Sequence, residues 1–172
     1  MIKKYSFRIF ILLISIVCLV GCDQTTKKIA KSELREKATT EVAGIINLRY
    51  IENDGGMLSL GGSLPQEIKF VVFILIVPFF LVLLFFYIIK NQHELFLKQS
   101  ALILIFCGGL GNLIDRIFNA GNVIDFINIK LPLIESGIFN VADFYVTLGF
   151  IILLISMMIR KTRKLVDVDK TN

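Results

Sequence analysis

The sequence predicts an α-helical membrane protein, four transmembrane helices carrying a small extracytoplasmic β-sheet. Three observations carry that prediction. Hydrophobic residues make up 55% of the 172, above the roughly 45–50% of a soluble domain even with its glycines counted, and mean hydropathy is +0.75. Four long apolar stretches divide the chain. The cations behind the net charge of +5 sit between those stretches, not in the single basic stripe of a nucleic-acid footprint. Cys18, Cys22 and Cys107 are odd in number and all lie in apolar runs, which excludes a disulfide scaffold. The chain reads as one integral membrane domain, 1–172.

The spans follow from length. Residues 70–89 carry no charge over twenty positions, enough to cross about 30 Å of hydrocarbon as a helix. Pro78 lies mid-span, which membrane helices tolerate. Residues 95–114 form a second such stretch, with Lys98 near one end, where its stem can snorkel. A third, 140–159, is polar only in its first turn. The first stretch is shorter: residues 9–22 give about 21 Å of helix, and a start at Tyr5 extends it to about 27 Å. Spans are therefore expected over about 5–22, 70–89, 95–114 and 140–159.

Orientation follows from the flanks. Ten basic residues (Lys3, Lys4, Arg8, Lys90, Lys98, Arg160, Lys161, Arg163, Lys164 and Lys170) fall on one side, against Glu94, Asp167 and Asp169. The positive-inside rule puts both termini in the cytoplasm, and leaves connections 23–69 and 115–139 outside. In the first, Ile46, Leu48 and Tyr50 alternate as on a half-buried strand over 44–51. Asn53-Asp-Gly-Gly56 then supplies turn chemistry. In the second, 123–131 is also strand-like. An outer sheet on the membrane surface accommodates both.

Residues 19–22, Leu-Val-Gly-Cys, follow a basic start and a short apolar run. Alone, that is a lipobox ending a signal peptide, with Cys22 the residue to be lipidated. The three further spans and the residues that follow favour an uncleaved first helix.

Polar groups at membrane depth are expensive and are functional candidates by default. Residues 108–116 read Gly-Gly-Leu-Gly-Asn-Leu-Ile-Asp-Arg. The glycines let neighbouring helices approach, and Asn112, Asp115 and Arg116 bring an amide, an anion and a cation to the interface. Asp125 shares a strand face with Val123, Ile127 and Ile129, where desolvation favours its acid form. Asp143 lies three residues after Asn140. That spacing suits an N-cap and a third helical position whose carboxylate the helix dipole favours. An acid beside a base is the arrangement that activates water in aspartic proteases. A catalytic dyad and two separate structural roles both stay open on these grounds. Asp115 is the poorer candidate, since adjacent Arg116 is expected to hold it as a permanent carboxylate. His93, the one histidine, sits beside Glu94 on the cytoplasmic side, so no metal site of the usual His/Cys kind is expected. A Ser/His pair on the outer face is also excluded.

These motifs together resemble the lipoprotein signal peptidase (signal peptidase II) family of four-span bacterial aspartic peptidases. Asp23-Gln-Thr-Thr-Lys27 is similar to its D-x-x-[S/T]-K. Asn53-Asp-Gly-Gly-Met-Leu-Ser59 is similar to N-x-G-A-A-F-S, keeping Asn53, Gly55 and Ser59 and departing at Gly56, Met57 and Leu58. Residues 108–116 resemble G-G-x-x-G-N-x-x-D-R with one residue fewer between the glycines. Val123-Ile-Asp-Phe126 resembles V-x-D-F, and Phe139-Asn-Val-Ala-Asp143 resembles F-N-x-A-D.

The resemblance implies that Asp125 and Asp143 are the catalytic pair. It implies that Asp115 and Arg116 support the site, that Asn112 and Asn140 orient polar groups, and that Asp23 and Lys27 brace the first helix against the outer sheet. It places Asn53 and Gly55 in a substrate-facing loop. The implied substrates are diacylglyceryl-modified prolipoproteins, cleaved just before the lipobox cysteine at the outer face of the bacterial cytoplasmic membrane. Membrane lipids are implied partners, with no cofactor and no nucleic acid. Two other readings compete: an ion or proton relay, which predicts acids deep within the spans, and a lipidated, non-catalytic membrane protein modified at Cys22.

Overall fold

The computed structural model describes residues 2–42, 44–91 and 96–169, with side chains over 9–42, 44–91 and 96–159. His93, Glu94 and the side chains of the terminal cations that set the expected orientation lie outside these. Among the described residues, four helices are long and apolar enough to cross a membrane: Ile9–Leu34, Gln66–Lys90, Phe96–Phe118 and Val141–Ile159. They are the first to fourth helices below. A three-stranded antiparallel sheet accompanies them, β1 (Thr40–Val42), β2 (Ile46–Asn53) and β3 (Val123–Ile129), in that spatial order.

The first helix does not stop at Cys22. Residues 23–34, expected in the outer connection, continue it without a break, and Gly21 keeps helical dihedrals (φ −61°, ψ −42°). The composition explains this, because Gln, Lys, Ala, Glu and Leu are all good helix formers. Asp23, Lys27 and Ala30 fall at i, i+4 and i+7 and are all buried, so this polar extension has an inward face of its own. Residues 19–22 thus sit inside an uninterrupted helix. The third helix also outlasts its apolar run, reaching Phe118 and carrying Asp115 and Arg116 on its last turn. The second helix carries a π-helical stretch, Val71–Ile76, before the segment Val77–Lys90 that contains Pro78.

The third helix is the centre of the bundle. Leu102, Phe106 and Cys107 join one buried cluster with Leu12 and Val20 of the first helix and Leu81 and Ile88 of the second. Its glycine face meets the fourth helix. A Cβ on Gly108 would lie 2.4 Å from Ala142 O and 2.7 Å from Val146 Cγ2. No side chain fits there, so the two backbones approach directly.

The sheet rests on the helix extension. Ala30, Ile124 and Phe126 form a second buried cluster with Leu48 and Tyr50 packed onto it. Residues 123–126 are all buried, so both faces of β3 are covered. The β2–β3 pairing sets Ile51 opposite Asp125 and Asn53 opposite Val123, with an irregularity between Leu48 and Ile51. Asn53 is therefore the diagonal neighbour of Asp125, within side-chain reach. β1 is short and exposed, and nothing in the sequence announces it. After β3 the chain turns between Lys130 and Glu135, then returns through a bridge between Ile127 and Phe139 to start the fourth helix.

Candidate active site

Asn140 and Asp143 open the fourth helix as a reciprocal cap. Asn140 Oδ1 accepts from Asp143 N (2.9 Å), and Asp143 Oδ2 accepts from Asn140 N (3.2 Å). This is capping-box geometry with an acid at the third helical position. Asn140 is fully buried, and its Nδ2 is spent outside the helix, donating to Asp125 Oδ1 (2.6 Å) and Asn112 Oδ1 (3.1 Å). One asparagine thus touches both aspartates. Asn53 Nδ2 donates to Asp125 Oδ2 (2.8 Å), and Asn112 Nδ2 donates to Asp143 Oδ1 (2.9 Å). Each carboxyl is held at both of its oxygens, and each is almost wholly buried, 1% exposed at Asp125 and 5% at Asp143.

Burial pushes the Asp125 carboxyl up from 3.8 to about 6, and the Asp143 charge pushes the same way. The Asn53 and Asn140 amides and the Lys27 charge oppose that rise without cancelling it. With Asp23 and Asp115, the site buries four carboxyl groups beside two cations, Lys27 and Arg116. Like charges gathered in a desolvated site favour keeping a proton among them.

The cations divide their work differently from the expectation. Lys27 Nζ reaches Asp23 Oδ2 (2.8 Å), Asp115 Oδ2 (3.0 Å) and Asn112 Oδ1 (3.0 Å). Asp115 therefore pairs with Lys27 and not with Arg116. Adjacent residues on a helix do not face each other, and the lysine arrives from another helix. Asp115 also accepts from Gln24 Nε2 (2.9 Å) and from Ile124 N in β3 (3.0 Å). Arg116 Nη2 donates to Gly55 O (2.6 Å), its guanidinium lies 4.4 Å from the Phe73 ring centroid, and its buried Nε has no hydrogen-bond partner among the described residues.

Asp23 and Lys27 bond the other helices directly and reach the sheet through Asp115. Asp23 Oδ1 accepts from Ala142 N (2.9 Å) at the start of the fourth helix, so the pair ties the first helix to the third and fourth. A Cβ on Gly111 would lie 2.6 Å from Asp23 Oδ2, and one on Gly55 would lie 2.8 Å from Ser59 O; both positions need glycine for close approach.

All the candidate residues meet in this one network: Asp23, Lys27, Asn53, Gly55, Asn112, Asp115, Arg116, Asp125, Asn140 and Asp143. Gln24 and Phe73 belong to it as well, and sequence reasoning misses them. Gln24 stands inside the Asp23–Lys27 motif, one position from a buried acid. Phe73 is one aromatic among many in an apolar run. Among the described residues, no group of three or more His, Cys, Asp or Glu is arranged to hold a metal ion.

The family model described as signal peptidase (SPase) II matches residues 15–159. A protein named lipoprotein signal peptidase from Streptococcus pyogenes serotype M1 is 37% identical over 155 residues, 87% of this chain and 93% of the relative. Its counterpart from serotype M5 (strain Manfredo) is 36% identical over the same shares. A bacterial membrane enzyme solved by the in meso method at 2.3 Å superposes with a TM-score of 0.77 at 30% identity, covering 91% of this chain and 92% of its own. A second, at 1.9 Å, gives 0.74 at 31% identity, covering 87% and 93%. With the family model spanning all four helices and the buried network between them, this multi-pass membrane protein belongs to the signal peptidase II family.

Proposed function

We propose that the chain is an aspartic endopeptidase that removes signal peptides from prolipoproteins, cutting just before the diacylglyceryl-modified lipobox cysteine. The observation that carries this reading is the Asn140 side chain, which bonds Asp125 and caps the helix turn of Asp143 in one buried site. Relatives bearing the name lipoprotein signal peptidase support the substrate class.

In this mechanism the two aspartates share one proton. Asp143, anchored in the first turn of a helix, takes a proton from water as the water attacks the scissile carbonyl. Asp125, whose burial favours its acid form, hydrogen-bonds the carbonyl oxygen as negative charge develops there. The C–N bond then breaks as a proton passes to the leaving amine. Asn53, Asn112 and Asn140 hold the carboxyl groups in position, while Arg116 and Gly55 fix the loop beside them. Lys27 pairs with both Asp23 and Asp115, and the three lock the helices underneath. The substrate enters sideways from the lipid, since its acyl chains and signal helix are membrane-bound. The charge distribution of the flanks supports a site at the outer face of the bacterial cytoplasmic membrane, with both termini inside.

The test is processing of a diacylglyceryl-modified prolipoprotein by the purified protein in detergent or lipid. Asp125→Asn and Asp143→Asn keep side-chain volume and remove one half of the proton-sharing pair, so each should fold and each should abolish cleavage. Substantial processing by either variant would sink the assignment.

A further inference from the structure

The second helix contributes two side chains that lie outside the matched motifs. Lys69 and Phe73 stand four residues apart, on one face of a helix. Lys69 is only 7% exposed, although a lysine near a helix end ordinarily extends toward water. It forms an ion pair with Asp54 Oδ2 instead. Phe73 lies against the Arg116 guanidinium, 4.4 Å from ring centroid to Cζ. A Cβ on Gly56 would lie 3.6 Å from the same ring. Both contacts converge on one short loop. Asp54 and Gly56 flank Gly55, whose carbonyl accepts Arg116 Nη2, and they follow Asn53, which donates to Asp125.

That loop has a conformation to be held. Leu58 and Ser59 both adopt left-handed dihedrals, φ +56° and +59°, which non-glycine residues avoid unless their surroundings impose them. Phe73 falls within the π-helical stretch Val71–Ile76, and π-helical turns recur at functional sites. We propose that Lys69 and Phe73 are positioning residues, a two-point clamp that seats the 53–60 loop and Arg116 against the aspartate pair. The inference rests on the peptidase reading above.

A plain structural role predicts something different. The Lys69 side chain is 8% exposed and the Asp54 side chain 53%, so the pair is open to solvent on one side, where screening limits its contribution to stability. Loss of the Lys69–Asp54 contact should therefore show in turnover more than in the melting temperature.

The experiment measures kcat, KM and melting temperature for the full chain, with a diacylglyceryl-modified prolipoprotein as substrate. Wild type must cleave it; failure there overturns the peptidase reading itself. Given cleavage, Lys69→Met and Phe73→Leu should each lower kcat about tenfold or more through misplacement of the loop, with KM changed less than kcat. Lys69→Arg and Phe73→Tyr should restore most of the loss. Asp54→Asn should match Lys69→Met, and the double variant should be no worse than either, because both remove the same contact. If Lys69→Met or Phe73→Leu keeps kcat within about twofold of wild type, or if Asp54→Asn and Lys69→Met prove additive, the clamp is overturned.

Discussion

Lys27 has three N–H donors, and its ammonium meets three partners: the buried Asp23 and Asp115 and the half-buried Asn112. Asp115→Asn removes one of its two anions while the other stays, so the loss should be about 3 kcal/mol, the low end for breaking a buried pair. The folded fraction should keep measurable turnover, because the bonds of Asp115 run to Lys27, Gln24 and Ile124 and not to Asp125 or Asp143, the proposed catalytic pair. Melting temperature in detergent beside a single-turnover rate checks this; a stable but inactive Asp115→Asn protein would move that residue into the chemistry. Asp125 predicts a pH effect. Its carboxyl binds a proton more tightly in the folded chain, at about 6 against an ordinary 3.8. The stability this confers is fully present below about 4 and is lost as pH rises through about 6. Thermal melts of wild type from about pH 4 to 7 should show that decline, and Asp125→Asn should flatten it. Strand face and cap spacing mark Asp125 and Asp143 as candidates, since both signals are local, but leave a dyad and two separate structural roles both open. The partner of Asp115 is not legible at all, because Lys27 comes from a distant helix and no periodicity connects the two.

Helix–helix contact is the next scale. Gly108→Ala would place a methyl 2.4 Å from Ala142 O, and backbone cannot yield as a flexible side chain can. The third and fourth helices would have to separate, disturbing Asn112 and Asp143 together. Both the melting temperature and the processing rate should fall, whereas Gly21→Ala, with open space around it, should leave both nearly unchanged. Comparing the two variants in one assay isolates the packing effect. The spans, β2 and β3 are legible as elements because apolar runs and alternation are properties of contiguous residues. The helical extension to Leu34 is partly hidden: its inward positions at Asp23 and Lys27 are charged, so a search for apolar periodicity passes over them. β1 is invisible, since its pairing with β2, and not its own composition, makes it a strand.

At the scale of the molecule, charge sets the expected topology. Ten basic residues on the short flanks predict that a reporter fused after Asn172 is cytoplasmic and that one inserted near Lys37 is outside. Finding position 37 inside would invert the proposed location of the site. The bond from Ala142 N to Asp23 Oδ1 spans 119 positions of sequence, and it has a consequence for timing. At a synthesis rate of about 5–20 residues per second, roughly ten seconds separate the appearance of its two ends. Through that interval a nascent chain already in the membrane lacks one of its acids and the cap that holds the other. On the proposed mechanism such a chain is inert toward its neighbours until the last helix arrives, so a protease resident in a crowded membrane is born switched off.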